Sequence, residues 1–180
     1  IFFMKKIILI TIISIVSLST YAQEEKENHH EVKINAFNLL IFKHLEGSYE
    51  YLINSESSAG IAARFALNSY DDRNIISYNE RYVFTGFYRR YFSKKYAAGF
   101  FVEGLTMYSH TENDVDIIGT TSKQSSNDIA LGFALGWKFV SKRGLALEFY
   151  GGIGEQITSS NDNVATEVIP RLGASIGYRF

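Results

Sequence analysis

Residues 129–139 read IALGFALGWKF, and in steps of two they separate into two chemistries. Ile129, Leu131, Phe133, Leu135, Trp137 and Phe139 fall on one side of an extended strand, and Ala130, Gly132, Ala134, Gly136 and Lys138 on the other. A helix, with its period of 3.6, would scatter both sets around its axis. A one-residue slip would exchange the two faces, so a strand of this kind carries its register in its own sequence. The division recurs. Leu145, Leu147, Phe149 and Ile153 oppose Ala146, Glu148, Tyr150, Gly152 and Gly154; Ala59, Ile61, Ala63, Phe65 and Leu67 oppose Gly60, Ala62, Arg64, Ala66 and Asn68. Tyr49, Tyr51 and Ile53 oppose Ser48, Glu50 and Leu52, and at the end Leu172, Ala174, Ile176, Tyr178 and Phe180 oppose Arg171, Gly173, Ser175, Gly177 and Arg179.

The charges sit on the small face, between glycines and alanines. A soluble barrel that binds an apolar ligand needs the reverse, with the bulky face lining a cavity and the charges in water. Small residues and scattered ions suit a narrow interior, which turns the bulky face outward into lipid. Closure then gives every backbone amide in the bilayer a partner. The expected fold is all-β: an eight-stranded antiparallel up-and-down transmembrane β-barrel over residues 32–180. Its strands are expected at 32–42, 47–53, 59–68, 81–92, 96–109, 128–140, 144–157 and 165–180. Connections 54–58, 93–95 and 141–143 are short, whereas 69–80, 110–127 and 158–164 are long and rich in Asn, Asp, Ser and Thr. Short turns on one rim and long loops on the other are the habit of an outer-membrane barrel; only 43–46 is short on the long side.

Strands one, four and five divide less cleanly. In the fourth, the preferred parity places Val83, Thr85, Phe87 and Arg89 inward, with Tyr82, Phe84 and Tyr88 outward and Arg90 snorkelling near the turn; the opposite parity fits nearly as well. In the fifth, Glu103 fixes Phe100, Val102, Thr106 and Tyr108 outward and leaves Phe101, Leu105 and Met107 inside. Tyr51, Tyr91, Phe92, Tyr96, Trp137, Phe139, Tyr178 and Phe180 gather at the turn-side ends, and Tyr70, Tyr78, Tyr82 and Tyr108 at the loop-side ends. These are the two girdles expected at the two membrane interfaces.

Ahead of the strands, Lys5 and Lys6 precede an apolar run, residues 7–18, and then Ser19-Thr20-Tyr21-Ala22. This order predicts a signal peptide over 1–22, with residues 1–3 upstream of Met4, cut after Ala22. The competing reading, an anchor helix, fails on length, because a span needs about 20 apolar residues. Residues 23–31, QEEKENHHE, are expected to be a flexible polar lead-in. The chain has no cysteine, hence no disulfide framework and no thiolate metal site. Removing Lys5 and Lys6 takes 18 basic residues to 16 against 19 acidic, and no polybasic block points to nucleic acid.

The signal segment, the eight-strand length and the terminal aromatic strand resemble small outer-membrane barrels of the OmpA and OmpX type. More narrowly, SYEYLIN (48–54), FYRRYF (87–92) and GYRF (177–180) are similar to strand-end patterns of a domain-of-unknown-function barrel family common in Bacteroidota. The resemblance implies residence in a bacterial outer membrane among its lipids. It also implies that Phe180, with Tyr178 and Ile176 behind it, forms the signal read by the barrel-assembly machinery. It implies no activity.

The inward ionisable set is Glu50, Arg64, Arg89, Glu103, Lys138, Glu148, Arg171 and Arg179, five basic and three acidic. Unpaired charges in a dry interior cost several kcal/mol each, so they are expected to pair and to plug the lumen; a narrow ion path with a basic bias is the alternative. No metal or other cofactor is expected. His29 and His30 fall in the lead-in, His44 in the first connection, and His110 opens the loop 110–127 with Asp114 and Asp116. Asp114, Asp116 and Asp128 lack the spacing and glycine of a calcium loop. No Ser and His spacing forces a catalytic pair together, so a lipid-modifying barrel enzyme ranks behind a structural or interaction role. Long loops on a rigid barrel are where recognition is mounted, and an extracellular protein or lipopolysaccharide is the expected partner class. A secreted, soluble lipocalin-like barrel is the third reading.

Overall fold

The computed structural model describes residues 28–67, 80–117, 120–159 and 168–180. The expected signal peptide, most of the lead-in, Asn68, Tyr70 and Tyr78 lie outside the described residues. The two-residue alternation produces eight strands among the described residues. They are β1 (His30–Asn35), β2 (His44–Asn54), β3 (Ser57–Ala66), β4 (Glu80–Tyr91), β5 (Gly99–Ile117), β6 (Thr120–Val140), β7 (Leu145–Ser159) and β8 (Val168–Arg179), with one short helix, α1 (Ala36–Ile41), after β1. Each strand pairs antiparallel with the next, and β1 pairs with β8 from Glu31 opposite Arg179 to Asn35 opposite Ser175. The sheet therefore closes on itself in sequence order. The fold is an all-β, eight-stranded antiparallel barrel.

The bulky residues face out. Phe133, Leu135 and Trp137 are 55%, 47% and 49% exposed, whereas Arg64 and Glu148 are buried. In β4 Val83, Thr85, Phe87 and Arg89 are buried and Phe84 and Tyr88 exposed; in β5 Phe101, Glu103, Leu105 and Met107 are buried. The preferred parity of both strands is the observed one. β1 also alternates, with Glu31, Lys33 and Asn35 buried against exposed Val32 and Ile34.

Inside, large side chains lie over glycines on the neighbouring strand. Phe87 is the register partner of Gly60, Phe101 of Gly136 and Tyr150 of Gly173. A Cβ added at any of the three glycines would stand 2.4 Å or less from the ring opposite. The rings occupy space that only a missing side chain leaves free, and cross-strand covering of a glycine by an aromatic ring is a known sheet device.

Four expectations need correction. The strand expected over 32–42 stops at Asn35, because the Asn35 side chain accepts a hydrogen bond from Asn38 N (3.1 Å) and caps α1. Phe42 N then donates to Asn38 O, and Lys43, in the left-handed region at φ 55°, turns the chain into β2. Ordered strand also begins earlier than expected, so that His30 and Glu31 belong to β1 rather than to the lead-in. The expected loop 110–127 is largely strand: β5 and β6 pair continuously up to Ile117 opposite Thr120. Its polar composition reads as loop, but the ladder is made by backbone groups, which composition does not alter. Finally, Tyr91 leaves the expected girdle for the interior, where it is buried, and Tyr96 packs against the same inner cluster.

Candidate functional site: a buried ionic network

The parity that turns Leu, Phe and Trp outward turns a charge inward on nearly every strand, and the narrow cylinder brings these charges together. Arg89 is the hub. Its Nε donates to Glu103 Oε2 (2.6 Å), its Nη1 to Glu50 Oε2 (2.9 Å) and Glu148 Oε2 (2.8 Å), and its Nη2 to Glu148 Oε1 (3.2 Å). The guanidinium also lies 4.6 Å from the Phe87 ring centroid and 4.4 Å from that of Phe101. A planar, weakly hydrated cation with forked donors suits such a position better than an ammonium would.

Glu50 is the matching anionic centre. Its Oε1 accepts from Ser58 Oγ, Tyr91 OH and Lys138 Nζ, and its Oε2 from Lys33 Nζ, Arg89 Nη1 and Lys138 Nζ. A carboxylate offers about four lone-pair sites, so every one of them is used. Lys33 Nζ donates on to Glu148 Oε2 (2.8 Å), and Lys138 Nζ to Glu31 Oε2 (2.8 Å). Glu31 Oε1 accepts from Arg179 Nε (2.7 Å), whose two other nitrogens donate to the carbonyls of Tyr96 and Ala97. The turn between β4 and β5 is thereby drawn over the end of the barrel.

Toward the other rim Glu103 Oε1 accepts from Arg171 Nε (2.9 Å), and Arg171 Nη1 donates to Glu46 Oε1 (3.3 Å). Glu46 also accepts from Tyr150 OH (3.1 Å) and from Asn38 Nδ2, which ties the network to α1. Arg64 lies 3.6 Å from Glu80 Oε2 at the start of β4.

All eight charges expected inside are buried, and seven of them (Glu50, Arg89, Glu103, Lys138, Glu148, Arg171 and Arg179) belong to one connected network. The sequence reading missed Glu31, Lys33, Glu46 and Glu80, and these change the balance. Among the described residues Lys33, Arg64, Arg89, Lys138, Arg171 and Arg179 face Glu31, Glu46, Glu50, Glu80, Glu103 and Glu148, so cations and carboxylates are equal in number there and the expected basic bias is absent from them. The signal for two of them was present. HEVKIN places Glu31 and Lys33 on one face and Val32 and Ile34 on the other, the same alternation as elsewhere, in a strand whose facing the sequence reading left open.

A general acid or base must reach a substrate proton, and each carboxylate of the connected network is buried and held by a cation. In the loop-side half, a hollow lined by Glu46, Arg64, Thr85, Met107 and Arg171 has about 10 Å³ of free volume, no more than a single water needs. What this geometry does is brace strands to one another across the interior. Among the described residues no group of three or more His, Asp or Glu is placed to hold a metal ion.

The histidines are tied into local structure. His29 Nδ1 lies 3.0 Å from both Leu52 O and Tyr96 OH. His44 is buried at the start of β2, and His110 Nδ1 donates to Asn127 Oδ1 (2.7 Å) while its ring stacks on Tyr82. Asp128 Oδ1 accepts from Ser126 and Gln156; the side chains of Asp114 and Asp116 lie outside the described residues. Ile176, Tyr178 and Phe180, expected to form the assembly signal, all face outward at the end of β8. No family model, curated protein or solved structure matches the chain.

Proposed function

We propose that this protein is an integral barrel of a bacterial outer membrane, with its lumen plugged by the ionic network and its role structural or interaction-based rather than catalytic. One observation carries the reading: the polarity of the barrel is inverted, with a broad surface of Leu, Ile, Phe, Tyr and Trp outside and paired charges within. An exposed apolar surface of this extent is untenable in water, and it is what acyl chains solvate. No helix among the described residues is long and apolar enough to cross a bilayer, a criterion that does not concern strands. Tyr51, Phe92, Trp137, Phe139, Tyr178 and Phe180 stay exposed at the turn-side ends, where a headgroup layer would meet them. The outward row Ile176, Tyr178 and Phe180 is accessible to the barrel-assembly machinery. The long β5–β6 hairpin is the proposed contact for an extracellular protein or lipopolysaccharide.

The test is fractionation after export in a Gram-negative host. The protein should sediment with outer membranes, resist an alkaline wash, and migrate differently in gels before and after boiling. Recovery in the aqueous fraction without detergent would overturn the reading and favour a soluble barrel. In planar bilayers the purified protein should give no steady conductance; a persistent open channel would remove the plug. An altered lipid A acylation profile in cells expressing the protein would favour the enzyme.

A further inference from the structure

The wall of the barrel is not strand all the way round. β1 pairs with β2 from His30 to Ile34 and with β8 from Glu31 to Asn35, and there it ends. β2 continues past it to His44 and β8 to Val168. Between these two extensions lies α1, packed against both.

The polarity of α1 is inverted for a helix on a water-soluble domain. Asn38 is 1% exposed, whereas Leu40 and Ile41 are 77% and 53% exposed. Its buried side is polar because it replaces a ladder. Asn38 Nδ2 donates to Glu46 on β2, and Asn35 Nδ2 donates to Leu172 O on β8 and to Tyr150 OH. At Leu172 O a side-chain amide, that of Asn35 at the end of β1, thus takes the place of a strand backbone donor, and the other amide contacts reach side chains of the interior. The single proline of the chain, Pro170, stands in this same stretch of β8, and proline, lacking an N–H, is confined to sheet positions that need no donor.

Length decides how deep α1 sits. A membrane-crossing strand needs about 9–11 residues at the usual tilt, and β1 has six. Six extended residues measure about 20 Å; tilted by about 40°, they rise roughly 15 Å of an apolar band about 25 Å tall. A six-residue helix adds about 9 Å. The wall between β2 and β8 therefore reaches the height of the band only if α1 is part of it.

We propose that α1 is a lipid-facing panel of the barrel wall, with Leu40 and Ile41 seated among bilayer acyl chains in continuity with Val32, Ile34 and Leu45 below and beside them. The proposal rests on the membrane reading above. It makes this sector of the wall, between the extensions of β2 and β8, one built by a helix rather than by a strand.

The chain has one tryptophan, Trp137, on the outer face, so tryptophan quenching separates the two questions. The native protein and a Trp137→Phe, Leu40→Trp variant would be reconstituted in phosphatidylcholine vesicles brominated on the acyl chains. Trp137 should lose emission to the brominated lipid. The Leu40→Trp variant should lose emission comparably and resist aqueous iodide. Quenching by iodide but not by bromine in that variant, with native Trp137 still quenched by bromine, would overturn the panel and leave the membrane reading standing. Absence of bromine quenching in both proteins would overturn both. Gel mobility before and after boiling checks that the variant is folded, and Ile41→Trp in the same background replaces it where it is not.

Discussion

In the half of the interior nearest the turns every strand contributes a polar group to one network: Glu31 and Lys33 from β1, Glu50 from β2, Ser58 from β3, Arg89 from β4, Glu103 from β5, Lys138 from β6, Glu148 from β7 and Arg179 from β8. In the half nearest the loops Ala62, Val83, Leu105, Met107, Ala130 and Ile169 make an apolar cluster, flanked by the Arg171–Glu46 and Arg64–Glu80 pairs. The two halves specify the fold differently. Hydrogen-bonded ions are directional, so a strand that slipped by one residue would carry its charge into the outer surface and leave its partners unpaired. Apolar contacts ask only for volume and tolerate repacking. The turn-side half sets register chiefly through its ions, and the loop-side half, with fewer pairs, chiefly fills space.

The most direct way to break the comparison is at Arg89. Arg89→Met keeps the bulk of the side chain but strands Glu50, Glu103 and Glu148 with one cation fewer. Removing one member of a buried ionic group costs about 3–5 kcal/mol. The expected outcome is a large drop in the urea midpoint of the detergent-solubilised protein, followed by gel mobility. Arg89→Lys should recover part of the loss, since it restores charge but not the forked geometry. A midpoint unchanged by Arg89→Met would mean that the network does not hold the strands.

Next in size is Gly136→Ala, on the border between packing and register. An added Cβ would stand 2.4 Å from Phe101 Cζ and 2.6 Å from the Phe149 carbonyl, which belongs to the backbone and has little room to yield. Overpacking of this kind costs about 1–3 kcal/mol. The double variant Gly136→Ala, Phe101→Leu should regain part of it, measured in the same unfolding assay. Smaller again is Ile169→Val in the apolar cluster. It removes one methyl from a buried position, for which about 0.5–1.5 kcal/mol is usual. If Ile169→Val cost as much as Arg89→Met, the loop-side half would be as exacting as the turn-side half.

How much of this was legible follows from where chemistry and geometry coincide. In β3, β6, β7 and β8 the alternation alone gave the facing, because a lone Arg64, Lys138, Glu148 or Arg171 stands among small residues opposite a bulky row. Tyr91 was misplaced because an aromatic near a strand end fits a girdle equally well; its shared parity with Arg89, two residues earlier, was the better guide. α1 was hidden for a different reason. AFNLLIF has neither an alternation nor a helical stripe, and six residues are too few to establish a period; only the Asn35–Asn38 cap betrays the helix. The extension of β5 and β6 beyond His110 was invisible because strand pairing there does not depend on apolar side chains, and Glu46 was lost because a carboxylate beside Lys43 and His44 reads as solvated loop.

The smallest expected effect sharpens the comparison from outside the barrel. Arg90 Nη2 lies 2.5 Å from Glu56 Oε2, closer than most ion pairs of the interior, and it ties the turn between β2 and β3 to the end of β4. The two side chains are 50% and 54% exposed. Water solvates each charge in the folded and unfolded states alike, the pair gives up side-chain freedom to form, and salt screens what attraction is left. Arg90→Ala should therefore shift stability by no more than about 1 kcal/mol, with the shift vanishing at high salt, whereas the loss in Arg89→Met should persist there. Adjacent residues carrying the same side chain, one facing in and one out, thus differ in solvent and in the number of carboxylates each meets. A salt-insensitive, equally large loss at both positions would mean that burial is not what gives the inner network its strength.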